Sequence, residues 1–198
     1  MKSLRNSKGF TLVELAIVLV IIGIIIGAVL KGQELINNAK MKRAYNQYRE
    51  ILAAVYTYYD KYGKYPGDDN TAQLRWPGST NGNNNGVIEG FEFNCNAGAT
   101  TETCQAWLHM RLANILTGAT DNNGTKNPSN IYGGNIAIGY AFVQGLATMW
   151  IGFQNVPGEV CLALDQLYDD GNYNTGSIRG SGNYNTSPNG FYYLYFRL

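Results

Sequence analysis

The chain has one histidine, three cysteines and little charge: Asp, Glu, Lys and Arg together make up 15% of its 198 residues. One histidine is too few for most zinc sites, and no Cys-x-x-Cys pair offers a thiolate alternative. No Gly-x-Ser-x-Gly is present, so a serine–histidine triad would have to be built on His109. That histidine lies off the apolar stripe of its segment and is expected to be exposed rather than catalytic. The carboxylates Asp68, Asp69, Asp169 and Asp170 make an acid–base pair only if the fold brings them together. No enzymatic activity and no catalytic residue are expected. Net charge is +1 and Arg179 and Arg197 are isolated, which argues against nucleic acid as a partner. No internal repeat is present.

What the chain has in excess is glycine (24) and tyrosine (15). That combination suggests a loop-rich, aromatic β region rather than a helical bundle. The N-terminus differs from the rest. Residues 1–9, MKSLRNSKG, are basic, with Lys2, Arg5 and Lys8 and no acid. An apolar run from Phe10 to Leu30 follows. As a helix it would span roughly 31 Å at ~1.5 Å per residue, about one bilayer core. The basic flank precedes the run, so the leader stays cytoplasmic and the remainder crosses the inner membrane. An ordinary secretory signal has a shorter apolar core with a small-x-small cleavage site after it, and none follows Leu30. The simple alternative is an uncleaved signal anchor.

Two details argue against that alternative. Gly9 separates the leader from Phe10, and Glu14 interrupts the apolar run, where a carboxylate is costly without a partner. Cleavage after Gly9 would give Phe10 a new amino group, able to pair with Glu14 of the same chain or a neighbour. The string KGFTLVELAIVLVIIGIIIGAVL resembles the N-terminal segment of type IV pilins and pseudopilins. The resemblance implies that a prepilin peptidase cuts between Gly9 and Phe10 and N-methylates Phe10. It implies that Glu14 guides docking of subunits in a filament. Gly23 and Gly27 form a Gly-x-x-x-Gly, which permits close helix approach. Many type IVa pilins carry a proline near the end of this segment; here Lys31–Gly32 takes its place.

Helical periodicity continues through Met41, Tyr45, Tyr48, Leu52, Val55, Tyr59 and Tyr62, in steps of four and three. The stripe predicts a face covered by the chain's own β-sheet; a coiled-coil partner is the alternative. Gly63, Pro66 and Gly67 end the helix. From Phe10 to Tyr62 it would be about 80 Å long. The segment after it resembles a Tyr–Gly–x–x–Pro–Gly–Asp turn of pseudopilin-like proteins, with Tyr62, Gly63, Pro66, Gly67, Asp68 and a later Trp76 in place.

In the head, residues 104–116 read as a short helix with Leu108, Leu112 and Ile115 as its stripe and Gly118 as its stop. Residues 136–143 and 146–153 read as a hairpin around Gln144–Gly145. A helix starts near Asn155 and Pro157 and runs to about Tyr168. It carries Cys161 as a buried small hydrophobe. The final FYYLYFRL reads as a strand buried on both sides, or as an edge strand covered by a neighbouring subunit. Residues 119–135 and 171–190 read as loops. In an oxidising compartment Cys95 and Cys104 would close a small loop, worth ~2–3 kcal/mol.

Two segments have the spacing of oxygen ligands for Ca2+. Asn81, Asn83, Asn85 and Glu92 fall at positions one, three, five and twelve of an EF-hand-like loop, though a network of Asx-turns gives the same sequence. Asp165, Asp169, Asp170 and Asn172 cluster around Gly171. That segment resembles an Asp–Asp–Gly … Gly–x–x–Arg stretch of minor pilin-like proteins, in which Arg179 would neutralise Asp169 or Asp170.

The expected fold is therefore α+β and pilin-like, with a long N-terminal helix lying on an antiparallel sheet. Its parts are a leader (1–9), an assembly and anchor helix (10–62) and a head (63–198). The expected function is that of a structural subunit of a type IV pilus-like filament. Its partners are other pilin subunits, prepilin peptidase and, before assembly, the inner membrane. No cofactor is expected beyond a possible Ca2+. A type II secretion pseudopilin is the neighbouring alternative. A signal-anchored adhesin domain that binds glycans or surfaces is the alternative from another class.

Overall fold

The computed structural model describes residues 9–198 of the chain; the leader residues 1–8, including Lys2, Arg5 and Lys8, lie outside the described residues. Contacts divide the chain into a unit ending at Lys40 and a unit Met41–Leu198. Helix α1, Leu12–Tyr62, contributes to both. It begins two residues later than the apolar run because Thr11 caps it. The Thr11 hydroxyl accepts the Glu14 N–H (3.2 Å), and the Glu14 carboxylate accepts the Thr11 N–H (2.8 Å) and hydroxyl (2.9 Å). This is a reciprocal capping box. At the other end Gly63 adopts φ 70° and donates its N–H to Tyr59, the left-handed stop that glycine allows.

The second unit is a four-stranded antiparallel sheet with helices against it. Its strands are β1 (Ile136–Val143), β2 (Leu146–Pro157), β3 (Ile178–Gly180) and β4 (Phe191–Arg197), in the order β1-β2-β4-β3. Helices α2 (Ala72–Arg75), α3 (Glu102–Leu112) and α4 (Gly158–Tyr168) complete it, with a 3-10 turn at Asn122–Thr125. Gln144 and Gly145, both with positive φ, make the two-residue turn of the β1–β2 hairpin. Register places Ile138 opposite Ile151, Ile151 opposite Phe196, and Phe153 opposite Ile136 and Leu194. These residues form one face, and all are buried. The Tyr48 ring stacks on Phe196 at 4.4 Å, and its hydroxyl donates to the Arg197 carbonyl, so residues 41–62 of α1 cover that face.

Several details differ from the sequence reading. The buried face of α1 is Ala44, Ile51, Ala54, Val55 and Tyr58, while Tyr59 is exposed. The centre of the stripe is rotated by about one residue. Small alanines allow close approach, and the Tyr58 hydroxyl reaches Asp69 at 2.7 Å. Helix α3 spans Glu102–Leu112 rather than 104–116. Asn114 takes φ 57°, and the N–H groups of Ile115 and Leu116 fold back to the Met110 carbonyl, ending the helix before Gly118. Strand β4 is neither a sheet edge nor buried on both sides: it lies between β2 and β3, with Leu194 and Phe196 buried and Phe191 exposed. Its other face is partly covered by Phe93, whose ring lies 4.9 Å from Tyr193. The two segments read as loops contain the 3-10 turn and β3.

Truncation at the two neighbouring tyrosines tests the rotated face. Tyr58→Ala is expected to cost about 3–5 kcal/mol in urea unfolding, and Tyr59→Ala under about 1 kcal/mol. Equal costs would restore the stripe read from the sequence.

Candidate functional site

In the first unit, the helix has no buried residue over its apolar stretch, and it is long and apolar enough to cross a membrane. Phe10, with 81% of its surface open, precedes the helix next to Gly9, which has free space around its Cα. Gly23 and Gly27 lie one turn apart, and a Cβ at either would meet nothing within 4 Å. They leave a shallow notch on an open apolar surface. Glu14 is the acid of the first turn. Only its Oε2 accepts hydrogen bonds among the described residues, leaving Oε1 open. The Thr-x-x-Glu spacing at 11–14 was the signal for this cap, and the sequence reading did not use it.

The chain leaving α1 is held by buried carboxylates. Asp68 accepts the N–H groups of Asn85 and Gly86, both at 2.9 Å, and so clamps the Asn-rich loop. Asp69 accepts from Tyr58, from the Thr71 N–H (2.9 Å) and hydroxyl (2.8 Å), and from Arg75. Burial alone would raise its pKa; the hydrogen bonds from Tyr58 and Thr71 and the Arg75 charge hold it below the ordinary value. Arg75 also lies over the Tyr62 ring at 4.4 Å and the Trp76 ring at 5.1 Å. Gly67 must be glycine: its φ is 87°, and a Cβ would collide with the Glu102 carbonyl.

His109 is fully buried, against the sequence expectation of exposure. Its Nδ1 accepts the Gly67 N–H and its Nε2 faces the Thr80 carbonyl, both at 3.0 Å. Nδ1 therefore lacks the proton, and Nε2 carries it. The ring is a structural tie between α3 and the turn after α1.

Most of the oxygens singled out for Ca2+ accept backbone N–H groups. Asn81 accepts from the Gln73 N–H (2.8 Å), Asn83 from Asn85 (3.0 Å) and Asn85 from Val87 (3.1 Å). Glu102 accepts the N–H groups of Asn83 and Glu89. The Glu92 carboxylate lies within 4.8 Å of the Cys95 and Cys104 sulfurs. Those two cysteines are joined in a disulfide with Cα atoms 5.6 Å apart. In the second group Asp169 accepts from Ser177 and Ile178, and Asp170 from Asn172 and the Thr175 hydroxyl. Buried Asp165 accepts from Gly171 and Tyr184; burial raises its pKa, and the Tyr184 hydroxyl opposes that. Arg179 does not pair with Asp169 or Asp170. It donates to the carbonyls of Gly176, Val143 and Gln144 and lies over the Trp150 ring, which closes the β1–β2 turn onto β3.

The prokaryotic N-terminal methylation motif matches residues 4–30. This is the prepilin-type cleavage and methylation segment of type IV pilins and pseudopilins. The match supports a type IV pilin- or pseudopilin-like protein, a structural class that is generally non-enzymatic. No curated protein and no solved structure matches the chain.

Desolvation lowers the His109 pKa from 6.5 to about 4. Between those values the unfolded chain binds more protons than the folded one. This contribution is therefore complete above pH 6.5 and is lost as pH falls toward 4. The loss is about 2 kcal/mol at pH 5 and about 3 kcal/mol at pH 4. Urea midpoints measured from pH 7 to pH 4 check this. A His109→Gln variant, weaker at pH 7, should show a flatter decline; an unchanged slope would remove His109 from the account.

Proposed function

We propose that the chain is a structural subunit of a type IV pilus-like filament, cut by prepilin peptidase between Gly9 and Phe10 and polymerised through residues 10–30. The observation that carries this reading is the open apolar helix, headed by a methylation motif and interrupted only by Glu14. Before assembly the bilayer covers that surface, with the head on the periplasmic side. After assembly neighbouring copies cover it. Gly23 and Gly27 allow the helices to approach, and the head remains outside the helix bundle.

Cleavage creates a cation at Phe10 that N-methylation preserves. Placed in a low-dielectric bundle, that cation needs a counter-charge. Glu14 supplies one, with Oε1 open to receive it from the same or a neighbouring chain. The large Gly- and Asn-rich head supports a pilus-like filament over a secretion pseudopilus.

Glu14→Leu separates processing from assembly. Removing one partner of a desolvated charge pair costs about 3–5 kcal/mol. In cells carrying the assembly machinery, the variant should be cleaved normally while sheared filament falls by an order of magnitude or more. Wild-type filament yield from Glu14→Leu would contradict the proposed role.

A further inference from the structure

Strand β2 breaks its pairing with β4 at one place. Phe153 lies opposite Leu194 and Val156 opposite Tyr192, so Gln154 and Asn155 together face Tyr193. This is a β-bulge, a device that turns side chains out of the ladder. Asn155 takes φ 63°, a conformation that asparagine tolerates. The loop beside the bulge is fixed. Asn130 donates its Nδ2 to the Gln154 carbonyl (2.6 Å) and its N–H to the Gly134 carbonyl (2.7 Å). Gly134 must be glycine, because a Cβ there would collide with the Gln154 carbonyl.

The bulge, Gly133–Gly134 and the start of β4 line a cleft of about 320 Å³. Small-molecule sites begin at about that size, near ~300 Å³. From β4 come Phe191 and Tyr193, which share one face of the strand roughly 7 Å apart. Phe191 is 66% exposed and Tyr193 38%. Phe93 backs the Tyr193 ring at 4.9 Å and holds it in place. None of the lining residues is charged. Gln154 engages its Oε1 with the Asn135 N–H at 3.5 Å, and Asn155 engages its Nδ2 with the Tyr132 carbonyl at 3.3 Å. The Gln154 Nε2 donor, the Asn155 Oδ1 acceptor and the Tyr193 hydroxyl make no hydrogen bond among the described residues. Asn155 and Tyr193 are exposed, and the buried unpaired atoms lie elsewhere, at Trp107, Arg111 and Tyr132, so these three groups are open to a ligand.

We propose that this cleft binds a neutral sugar, taking one pyranose ring. A pyranose carries C–H groups on its faces and hydroxyls around its edge. Its C–H face suits the electron-rich face of Phe191 or Tyr193. Each hydroxyl both donates and accepts, and so answers the amide donor and the amide acceptor together. An ionic ligand finds no counter-charge in the lining, and a purely apolar one would cover both amides without answering them. The sugar is either free in solution or one unit of a glycan chain.

The test uses the unassembled full chain in a detergent without a sugar head group, read by saturation-transfer difference NMR. The probes are methyl β-D-glucopyranoside, methyl β-D-galactopyranoside and lactose. The site is supported by saturable transfer to the ring C–H protons of at least one probe, with a Kd of ~1–10 mM. Phe191→Ala should weaken that binding about tenfold. Asn155→Gly, which suits the positive φ, should weaken it several-fold. Phe142→Ala removes a ring that is 73% exposed on β1, outside the cleft, and should change nothing. Lactose binding several-fold tighter than both methyl glycosides identifies a glycan chain as the source; equal binding identifies the free sugar. No saturable transfer from any probe overturns the site whether or not the chain forms filaments. A Phe191→Ala chain that binds normally also overturns it, and one that then fails to assemble gives the ring to a neighbouring subunit instead.

Discussion

An apolar helix with no covered side has to be covered by something, and the architecture of the chain follows from that constraint. Each Leu, Ile, Val or Phe between residues 10 and 30 gains about 1.5–3 kcal/mol on burial. The segment therefore leaves tens of kcal/mol of desolvation unrealised in the isolated chain. A helix that is apolar all round fits a membrane span or the core of a large assembly. The methylation motif at 4–30 fits both settings: membrane anchoring of a precursor, and assembly with other pilin-type subunits.

The second unit secures residues 41–62 of the same helix through Tyr48 on Phe196, Tyr58 on Asp69, and the buried Ala44 and Ala54. Much of the head is Gly/Asn loop with few ladder hydrogen bonds of its own. Carboxylates supply what strands do not. Asp68, Asp69, Glu102, Asp165 and Asp169 each accept backbone N–H groups, and the Cys95–Cys104 disulfide closes a further loop. Bonds to charged acceptors are the stronger kind. Part of the chain's small charge content thus holds turns. Arg111, buried in α3, donates to the carbonyls of Gly124 and Lys126 in the same manner.

Local signals were legible where one interaction dominates. The apolar run, the Gln144–Gly145 turn and the α4 pattern each depend on neighbours in sequence, and the structure has all three. Long-range choices were not legible. A tyrosine-rich helix permits two adjacent stripes, and Asp69 selects Tyr58 over Tyr59 from outside the helix. His109 looked exposed because its partner, the Gly67 N–H, lies 42 residues away. The Asp–Asp–Gly segment suggested an ion pair, whereas Arg179 is drawn to the carbonyls of the β1–β2 turn, about 35 residues back. The Thr11–Glu14 cap is local, and its Thr-x-x-Glu spacing is legible; the cost of a carboxylate in an apolar run masks it.

On the proposed reading, processing at Gly9–Phe10 releases an assembling helix. Intact mass and N-terminal sequence of the membrane-associated protein, with and without prepilin peptidase, test it most directly. The expected chain begins at N-methylated Phe10 when the peptidase is active and at Met1 when it is absent. A chain still beginning at Met1 beside an active peptidase would contradict it and leave a signal-anchored head domain.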